Sequence, residues 1–240
     1  MKNITLQLYS VNNYTEKDFV GTIKTIADYG YTGVEFAGYG GLTAIEIKNL
    51  LEQTGLEAPA SHFGSEQLIN NLDAEIEFAK VAGIKMIVCS YADIKTREET
   101  LKLSGEFKKM ITKCKENGLG FAYHNHAHEF EKDNNEFLLD ILFDNTPELQ
   151  SELDVYWVAY AGVDVIDYMK KFKNRLPLIH LKELGADKTN VDLGKGILDF
   201  PTIIKIAKEL GTETFIVEQE QSEIDTMTSA RNNFEYLSNI

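Results

Sequence analysis

The sequence is poor in cysteine and in positive charge, and both shortages restrict what the protein can be. Its two cysteines, Cys89 and Cys114, form no CxxC pair and so predict a reducing compartment or simple burial. Lysine and arginine total 24 against 38 aspartates and glutamates, which gives a net charge of −14. Such a surface repels a phosphate backbone, so we expect no nucleic-acid partner.

Long apolar runs are also missing. The chain has no stretch of about 18 apolar residues, and no charged head followed by an apolar run stands near its start. We therefore expect a cytoplasmic protein without a membrane partner. Hydrophobic residues make up 43% of the chain and charged residues 26%, as in soluble globular proteins. A chain of 240 residues can bury a large core, and we expect one domain over residues 1–240.

A helical segment that ends in glycine and leads into an apolar strand recurs along the chain. The junction glycines are Gly30, Gly55, Gly83, Gly118 and Gly211, which suit the positive φ of a helix end. The first helix is expected to open at the capping-box pattern of residues 15–18. Alternation and apolar content predict strands near residues 3–10, 32–37, 57–62, 85–90, 119–126, 149–155, 176–182 and 213–220.

These elements predict an α/β fold of eight strand–helix units, each about 30 residues long. A helix between successive strands makes them parallel with right-handed crossovers. Eight such units favour a closed (β/α)8 TIM barrel, since an open sheet leaves edges to cover. A doubly wound sheet is the alternative, but residues 9–12 after the first strand lack its phosphate-binding glycine fingerprint.

Polar residues crowd the predicted strand ends, where such a barrel has its active site. The stretch from Phe121 to Phe130 holds three of the five histidines, and alternation puts His124 and His126 on one face. Strands 5 to 8 present four candidate ligands toward a common axis, namely His124, Asp154, His180 and Glu218. Two imidazoles and two carboxylates predict one divalent metal ion, with Mn²⁺ first and Co²⁺, Zn²⁺, Fe²⁺ or Mg²⁺ as alternatives.

Six stretches resemble the sugar isomerase/epimerase family with the xylose-isomerase-like barrel. They read Leu-Gln-Leu-Tyr-Ser, Tyr-His-Asn-His-Ala-His-Glu-Phe, Leu-Asp-Val-Tyr-Trp, Ile-His-Leu-Lys-Glu, Gly-Lys-Gly-Ile-Leu-Asp-Phe and Ile-Val-Glu-Gln-Glu. The resemblance covers about residues 4 to 220. It implies a metal held at the ends of strands 5 to 8, with His124 where the epimerases have a glutamate. His126 is the rival to His124 as the first ligand.

The leading hypothesis is a metal-dependent isomerase or epimerase acting on a sugar or keto-polyol. It would abstract an α-proton and pass through a metal-stabilised enediolate. Glu218 is the candidate base as well as a ligand, and Lys182 is a candidate base or polariser of the substrate oxygen. Lys182 as a structural partner of Glu220 or Glu183 is an equal alternative. Loss of a β-hydroxyl from the same intermediate would make the protein a dehydratase.

Several further residues are predicted to contact the substrate. Trp157 is expected to form an apolar wall for a sugar ring. Polar contacts to hydroxyl groups are assigned to Gln7, Glu35, His62, His126, Lys182 and, from the resemblance, Glu129. The first three of these have second-layer support as their alternative role.

Some alternatives concern the substrate and the class of protein. The turn Gly194-Lys195-Gly196 precedes a helix expected near Asp199 and could bind a phosphate. It offers few amides, so an unphosphorylated substrate is at least as well supported. Nucleic-acid cleavage is disfavoured by the net charge, and a non-catalytic sugar-binding barrel is disfavoured by so many polar strand ends. A homo-oligomer is compatible with the sequence.

Overall fold

Eight parallel strands form one sheet in the computed structural model, which describes residues 3–240. They are β1 Ile4–Gln7, β2 Gly33–Glu35, β3 Ala60–Gly64, β4 Met86–Tyr91, β5 Gly120–His124, β6 Gln150–Asp154, β7 Leu178–Leu181 and β8 Thr214–Val217. Their order is β2-β1-β8-β7-β6-β5-β4-β3. Bridges Gly33–Glu57 and Phe36–Ser61 connect β2 with the segment that contains β3. The barrel closes there, and the predicted (β/α)8 TIM barrel is confirmed.

Helices connect the strands on the outside of the sheet. They are α1 Asn12–Thr15, α2 Phe19–Asp28, α3 Ala44–Thr54, α4 Ser65–Ala82, α5 Arg97–Glu116, α6 Leu138–Asp144, α7 Val155–Tyr160, α8 Val165–Lys170, α9 Phe200–Leu210 and α10 Thr226–Ser238. Across residues 3–240, none of them is long and apolar enough to cross a membrane. Two short hairpins that the sequence did not predict follow β5 and β7, pairing Lys132–Asp133 with Glu136–Phe137 and Glu183–Leu184 with Asn190–Val191.

The sequence patterns predicted several helix ends correctly but placed the start of one helix wrongly. Gly55, Gly83 and Gly211 end their helices with φ of 72°, 83° and 100°, as the glycine pattern predicted. The capping box expected at residues 15–18 is wrong. Thr15 ends the short helix α1, and the Asp18 side chain instead accepts from the Gly21 amide to cap α2.

The interior of the barrel changes from apolar to polar along the strand direction. A small apolar floor is formed by Ala60, Val88, Ala122, Leu178 and Ile216. Two positions further on, the residues in the same phase are His62, Ser90, His124, His180 and Glu218. Successive side chains of a strand point to opposite faces, so residues two apart share the interior. The floor therefore supports a polar layer at the C-terminal end of the barrel.

Candidate metal centre

The four predicted ligands converge at this end of the barrel. His124 and Asp154 are the last residues of β5 and β6, His180 lies in β7, and Glu218 follows β8 directly. All four are buried, and one donor atom from each lies within 4.8 Å of the others. His180 Nδ1 is 3.1 Å from Glu218 Oε2, and His124 Nε2 is 4.0 Å from Asp154 Oδ2. We call these four residues the upper cluster.

The two carboxylate oxygens of Asp154, in the upper cluster, have different surroundings. Asp154 Oδ1 accepts from the Tyr156 amide at 2.8 Å and caps α7. Asp154 Oδ2 is also buried, and within residues 3–240 it has no hydrogen-bond partner. Burial raises the pKa of Asp154 to about 7. A buried carboxylate oxygen that faces two imidazoles and a second carboxylate is what a divalent cation would satisfy, so the donor set fits a metal ion.

A second carboxylate, Glu152, lies below the upper cluster and was missed by the sequence reasoning. Its Oε2 is 2.5 Å from His62 Nε2 and 3.3 Å from His124 Nδ1. The same oxygen is 3.4 Å from His180 Nε2. We call His62, His124, Glu152 and His180 the lower cluster, which shares two histidines with the upper one. The alternation of the strand could have identified it, because Glu152 is two residues before Asp154 on β6 and therefore faces the same side.

Glu35 and Gln7 belong to this lower layer and do not reach the substrate space. Both are completely buried. Glu35 Oε2 is 2.8 Å from His180 Nε2 and accepts from Gln7 Nε2 at 2.7 Å. Burial, with the Glu152 charge beside it, raises the pKa of Glu35 to about 7. These hydrogen bonds agree with the alternative role, support beneath the site, while contact with substrate hydroxyls stays a prediction.

Glu129, which was predicted to contact the substrate, directs its carboxylate toward groups of the protein. Its two carboxylate oxygens accept from Tyr123 Oη at 2.6 Å and from the His126 amide at 2.9 Å. The side chain is completely buried under the turn after β5. Glu129 therefore stabilises this turn and fixes the backbone of His126, and its contact with a substrate stays a prediction. His128 lies beside it, with Nδ1 3.3 Å from Glu129 Oε2.

His126 and Trp157 border the site beyond the strand ends. Their ring centroids lie 5.5 Å apart, and Trp157 belongs to α7, the helix that follows β6. Burial and the neighbouring His124 lower the pKa of His126 to about 2, so its ring is neutral. His126 is next to the upper cluster but not one of its four residues, so the structure groups His124 with the other predicted ligands.

Lys182 follows β7 and places an ammonium group beside the upper cluster. Only 1% of its side chain is exposed, and Nζ lies 2.6 Å from Glu220 Oε1 and 3.9 Å from Glu218 Oε2. Nζ also lies 4.7 Å from the centre of the Trp157 ring. Burial alone would lower the pKa of Lys182, but Glu218, Asp154 and Glu220 raise it. The side chain is therefore a cation at neutral pH.

An open cavity of about 550 Å³ lies above these residues. His62, His124, His126 and Glu218 contribute to its inner part, and Tyr9, Phe63 and Tyr91 contribute aromatic surface. Within the part of the chain that the structure describes, the lining contains two carboxylates and no lysine or arginine. The cavity therefore offers donors for a cation and hydroxyl groups, together with apolar surface for carbon atoms.

The glycine turn that could have bound a phosphate is filled by an internal carboxylate. Glu183 Oε2 accepts from the Gly194 amide at 3.1 Å, and its Oε1 accepts from the Leu198 amide at 3.0 Å. Lys195 forms an ion pair with Asp192 at 2.7 Å. The amides and the cation that a phosphate would need are thus already used within the protein.

The structure is a (β/α)8 barrel with buried carboxylates and imidazoles at the C-terminal ends of its strands. Comparison with known proteins gives the family. The model of the xylose isomerase-like TIM barrel family matches residues 23–240, and the chain belongs to this family. The resemblance read from the sequence is confirmed. Inosose dehydratase of Clostridium perfringens is 24% identical in an alignment 250 positions long that covers 86% of this chain and 84% of that protein.

Solved structures show the same fold at full length. A sugar phosphate isomerase/epimerase from Parabacteroides distasonis has a TM-score of 0.89 at 23% identity, covering 100% of this chain and 99% of that one. An IolI protein with a bound zinc atom has a TM-score of 0.81 at 14% identity, covering 99% and 97% of the two chains. At these identities the likeness establishes the architecture, and the chemistry has to be argued from the residues of this chain.

Proposed function

We propose that the protein is a metal-dependent isomerase or epimerase that removes a proton next to the carbonyl of a neutral sugar or keto-polyol. The observation that carries this proposal is the upper cluster, four buried donors at the ends of four successive strands. Enzymes built on this barrel have their active sites at that end. The family and the names of the relatives also support small sugar-like substrates.

The upper cluster would hold one divalent ion, with Mn²⁺ as first choice and Co²⁺, Zn²⁺, Fe²⁺ or Mg²⁺ as alternatives. Two imidazoles and two carboxylates without a thiolate suit such an ion. A bound ion would polarise a substrate carbonyl and so acidify the neighbouring C–H group. The zinc in the IolI structure supports the view that a barrel of this fold can hold a metal.

Glu218 is the residue that we assign to proton transfer. It borders the cavity, and its carboxylate faces His180 and Lys182. Burial alone would raise the pKa of Glu218, but the Lys182 ammonium and His180 hold it well below its ordinary value. Glu218 is therefore an ionised carboxylate able to accept a proton. Lys182, being protonated, would stabilise negative charge that develops on a substrate oxygen, which favours its predicted role as a polariser over that of a base.

The substrate that fits best is uncharged. Glu218 and Glu220 give the cavity a negative lining, and the nearby Lys182 cation is already paired with them. The glycine turn is occupied by Glu183. Among residues 3–240, the cavity lining has no lysine or arginine for a phosphate group, whose two negative charges would lie next to these carboxylates. Like charges in a site of low polarity repel strongly.

Dehydration of a keto-polyol is the second candidate, and two observations favour it. The relatives with detectable sequence identity include inosose dehydratases. The acid and the base of this site are also close together, with Lys182 Nζ 3.9 Å from Glu218 Oε2. Glu218 could remove the α-proton while the Lys182 ammonium protonates a departing β-hydroxyl. Such an elimination needs only one carboxylate base, which agrees with a histidine at position 124.

Proton NMR in D₂O tests the proposal and separates its branches. The metal-loaded protein is incubated with a panel of unphosphorylated ketoses and inososes, and the loss of an α-proton signal is followed. Exchange with recovery of an isomer supports the isomerase or epimerase, and release of an unsaturated ketone supports the dehydratase.

Two variants link any activity to the site. Glu218→Gln should lower the exchange rate by about 10²–10⁴-fold, the contribution typical of a general base. Glu213→Gln changes an exposed glutamate before β8 and should leave the rate unchanged. Failure of every ketone to exchange, with metal bound, would count against both reactions and in favour of a binding barrel.

A further inference from the structure

We propose that Glu152 is a positioning residue that fixes which ring nitrogen His124 and His180 present to the metal. Glu152 is completely buried, directly below the upper cluster. The inference rests on the proposed function, because it takes the upper cluster as the metal site. It adds a residue outside the predicted ligands and specifies the ligand atoms.

His180 is held between carboxylates above and below. Its Nε2 lies 2.8 Å from Glu35 Oε2 and 3.4 Å from Glu152 Oε2. Its Nδ1 lies 3.1 Å from Glu218 Oε2, in the upper cluster. A histidine that ligates a metal through one nitrogen carries a hydrogen on the other and donates it to an acceptor. The acceptors below require Nε2–H, so His180 offers Nδ1 to the metal.

His124 is held in the same way but with the opposite nitrogens. Its Nδ1 lies 3.3 Å from Glu152 Oε2, and its Nε2 faces Asp154 Oδ2 at 4.0 Å. Within residues 3–240, Nδ1 has no hydrogen-bond partner, and Glu152 Oε2 is the carboxylate oxygen within reach of a hydrogen on it. Nε2 faces the upper cluster, where a lone pair would be available to the metal. Glu152, together with Glu35 on the His180 side, therefore orients both histidines, and a different nitrogen is the ligand atom in each.

The strand register explains why Glu152 serves both rings. His124 pairs with Glu152 across β5 and β6, and His180 pairs with Asp154 across β6 and β7. Glu152 is thus level with His124 in the sheet, and it lies two residues before the level of His180. A buried carboxylate would be destabilising without partners, and the imidazoles compensate its charge.

The lower cluster also has the composition of a metal site, but its contacts favour hydrogen bonds. The 2.5 Å separation of Glu152 Oε2 from His62 Nε2 is a direct hydrogen bond. The Nε2 of His180 is also engaged by Glu35. Glu152 is therefore already hydrogen-bonded to His62, one of the imidazole groups that a metal ion there would require.

Zinc binding to the variant Glu152→Gln provides the first test. We expect one zinc per chain in the wild type and in the variant, with the affinity of the variant lowered about 10–100-fold, as for other second-layer partners of metal-binding histidines. Glu213→Gln, the same change at an exposed position, should bind zinc as the wild type does. Circular dichroism checks that the variant folds, and if it does not, the ring nitrogens measured in the wild type decide the proposal.

Long-range ¹H–¹⁵N correlation spectra of the zinc-loaded, histidine-labelled protein provide the second test. They should show Nδ1–H for His124 and Nε2–H for His180 in the wild type, and a change in these signals in Glu152→Gln. The reverse nitrogens, or an unchanged zinc affinity, would overturn the inference. Two zinc ions per chain, with one lost in Glu152→Gln, would make the lower cluster a metal site and also overturn it. A wild type that binds no zinc or manganese would instead defeat the proposed function.

Discussion

The Lys182 ammonium and the Glu220 carboxylate form an ion pair of 2.6 Å at the edge of the candidate metal centre. The sequence predicted Lys182 either as a base or polariser or as a structural partner of Glu220 or Glu183. The structure places Glu183 in the glycine turn, so the pair forms with Glu220. Glu220 keeps 29% of its side chain exposed, whereas Lys182 keeps 1%. The lysine is thus a buried cation with a partner at the rim.

Replacing the two members of this pair should separate catalysis from structure. Lys182→Met keeps the length of the side chain but removes the ammonium, and we expect the exchange rate to fall by about 10²–10⁴-fold. Glu220→Gln removes only the rim partner, so its rate should stay within several-fold of the wild type. Deuterium exchange by NMR measures both. Equal losses in the two variants would indicate that Lys182 acts through its pairing with Glu220 alone.

Metal removal should destabilise the folded protein. An ion at about 100 times its dissociation constant stabilises the state that binds it by about 2.7 kcal/mol. For a chain of this size that corresponds to about 5–10 °C in Tm. Calorimetry with Mn²⁺ and then with excess chelator should show this decrease.

The decrease should depend on the upper cluster. Asp154→Asn removes one of the two carboxylates and should abolish the difference between metal-loaded and chelated protein. Asp28→Asn changes an exposed residue at the end of α2 and should preserve it. A chelator effect that survives in Asp154→Asn would place the metal elsewhere in the protein.

Glu183→Gln should destabilise the segment that follows β7. Burial raises the pKa of Glu183, while the amides of Leu198, Gly194, Gly196 and Leu184 oppose this shift. Glutamine would turn an NH₂ group toward one set of these amides and leave a buried N–H without an acceptor, a loss of about 1–3 kcal/mol. Urea unfolding measures it against Glu209→Gln, an exposed glutamate on α9.

The same region gives a prediction for inorganic phosphate. Because Glu183 occupies the glycine turn, millimolar phosphate should not change the Tm of the wild type. A marked rise in Tm that disappears in Lys195→Ala would show that the turn opens to receive the anion, against the proposed neutral substrate.

Asp192 should make stability depend on acidity. Its carboxylate accepts from Ser229 Oγ at 2.6 Å and from Lys195 Nζ at 2.7 Å, which ties the segment after β7 to α10. Burial alone would raise the pKa of Asp192, but these hydrogen bonds hold it below the ordinary value of 3.8. A carboxylate with a depressed folded-state pKa contributes stability above its ordinary pKa and loses this contribution as the pH falls through the folded value.

Asp192→Asn should therefore be less stable than the wild type at neutral pH and should lose less stability on acidification. Urea unfolding at steps from about pH 5 to about pH 3 measures the two slopes. Asp28→Asn should follow the wild type. Parallel slopes for Asp192→Asn and the wild type would show that this carboxylate does not carry the pH dependence.

Apart from the start of α2, the differences between sequence and structure concern the partners of side chains. Glu129 was assigned to the substrate because of its position after strand 5, yet it accepts from Tyr123 and from the backbone of His126. Gln7 and Glu35 have the right phase for the barrel interior, but they lie one layer too deep. Phase along a strand tells which face a side chain occupies, and it does not tell how deep that side chain lies relative to its neighbours.

The sequence by itself determined the barrel and the four residues of the upper cluster. Strand alternation, helix-ending glycines and polar strand ends are local patterns in the sequence. The C-terminal ends of the parallel strands of a barrel lie at the same end of it, independently of the loop conformations. Tertiary structure alone decided that Glu152 lies beside His124 and His180, that Glu183 fills the glycine turn and that Lys182 pairs with Glu220. These contacts depend on the register between strands and on the path of the loop after β7, which no local pattern encodes.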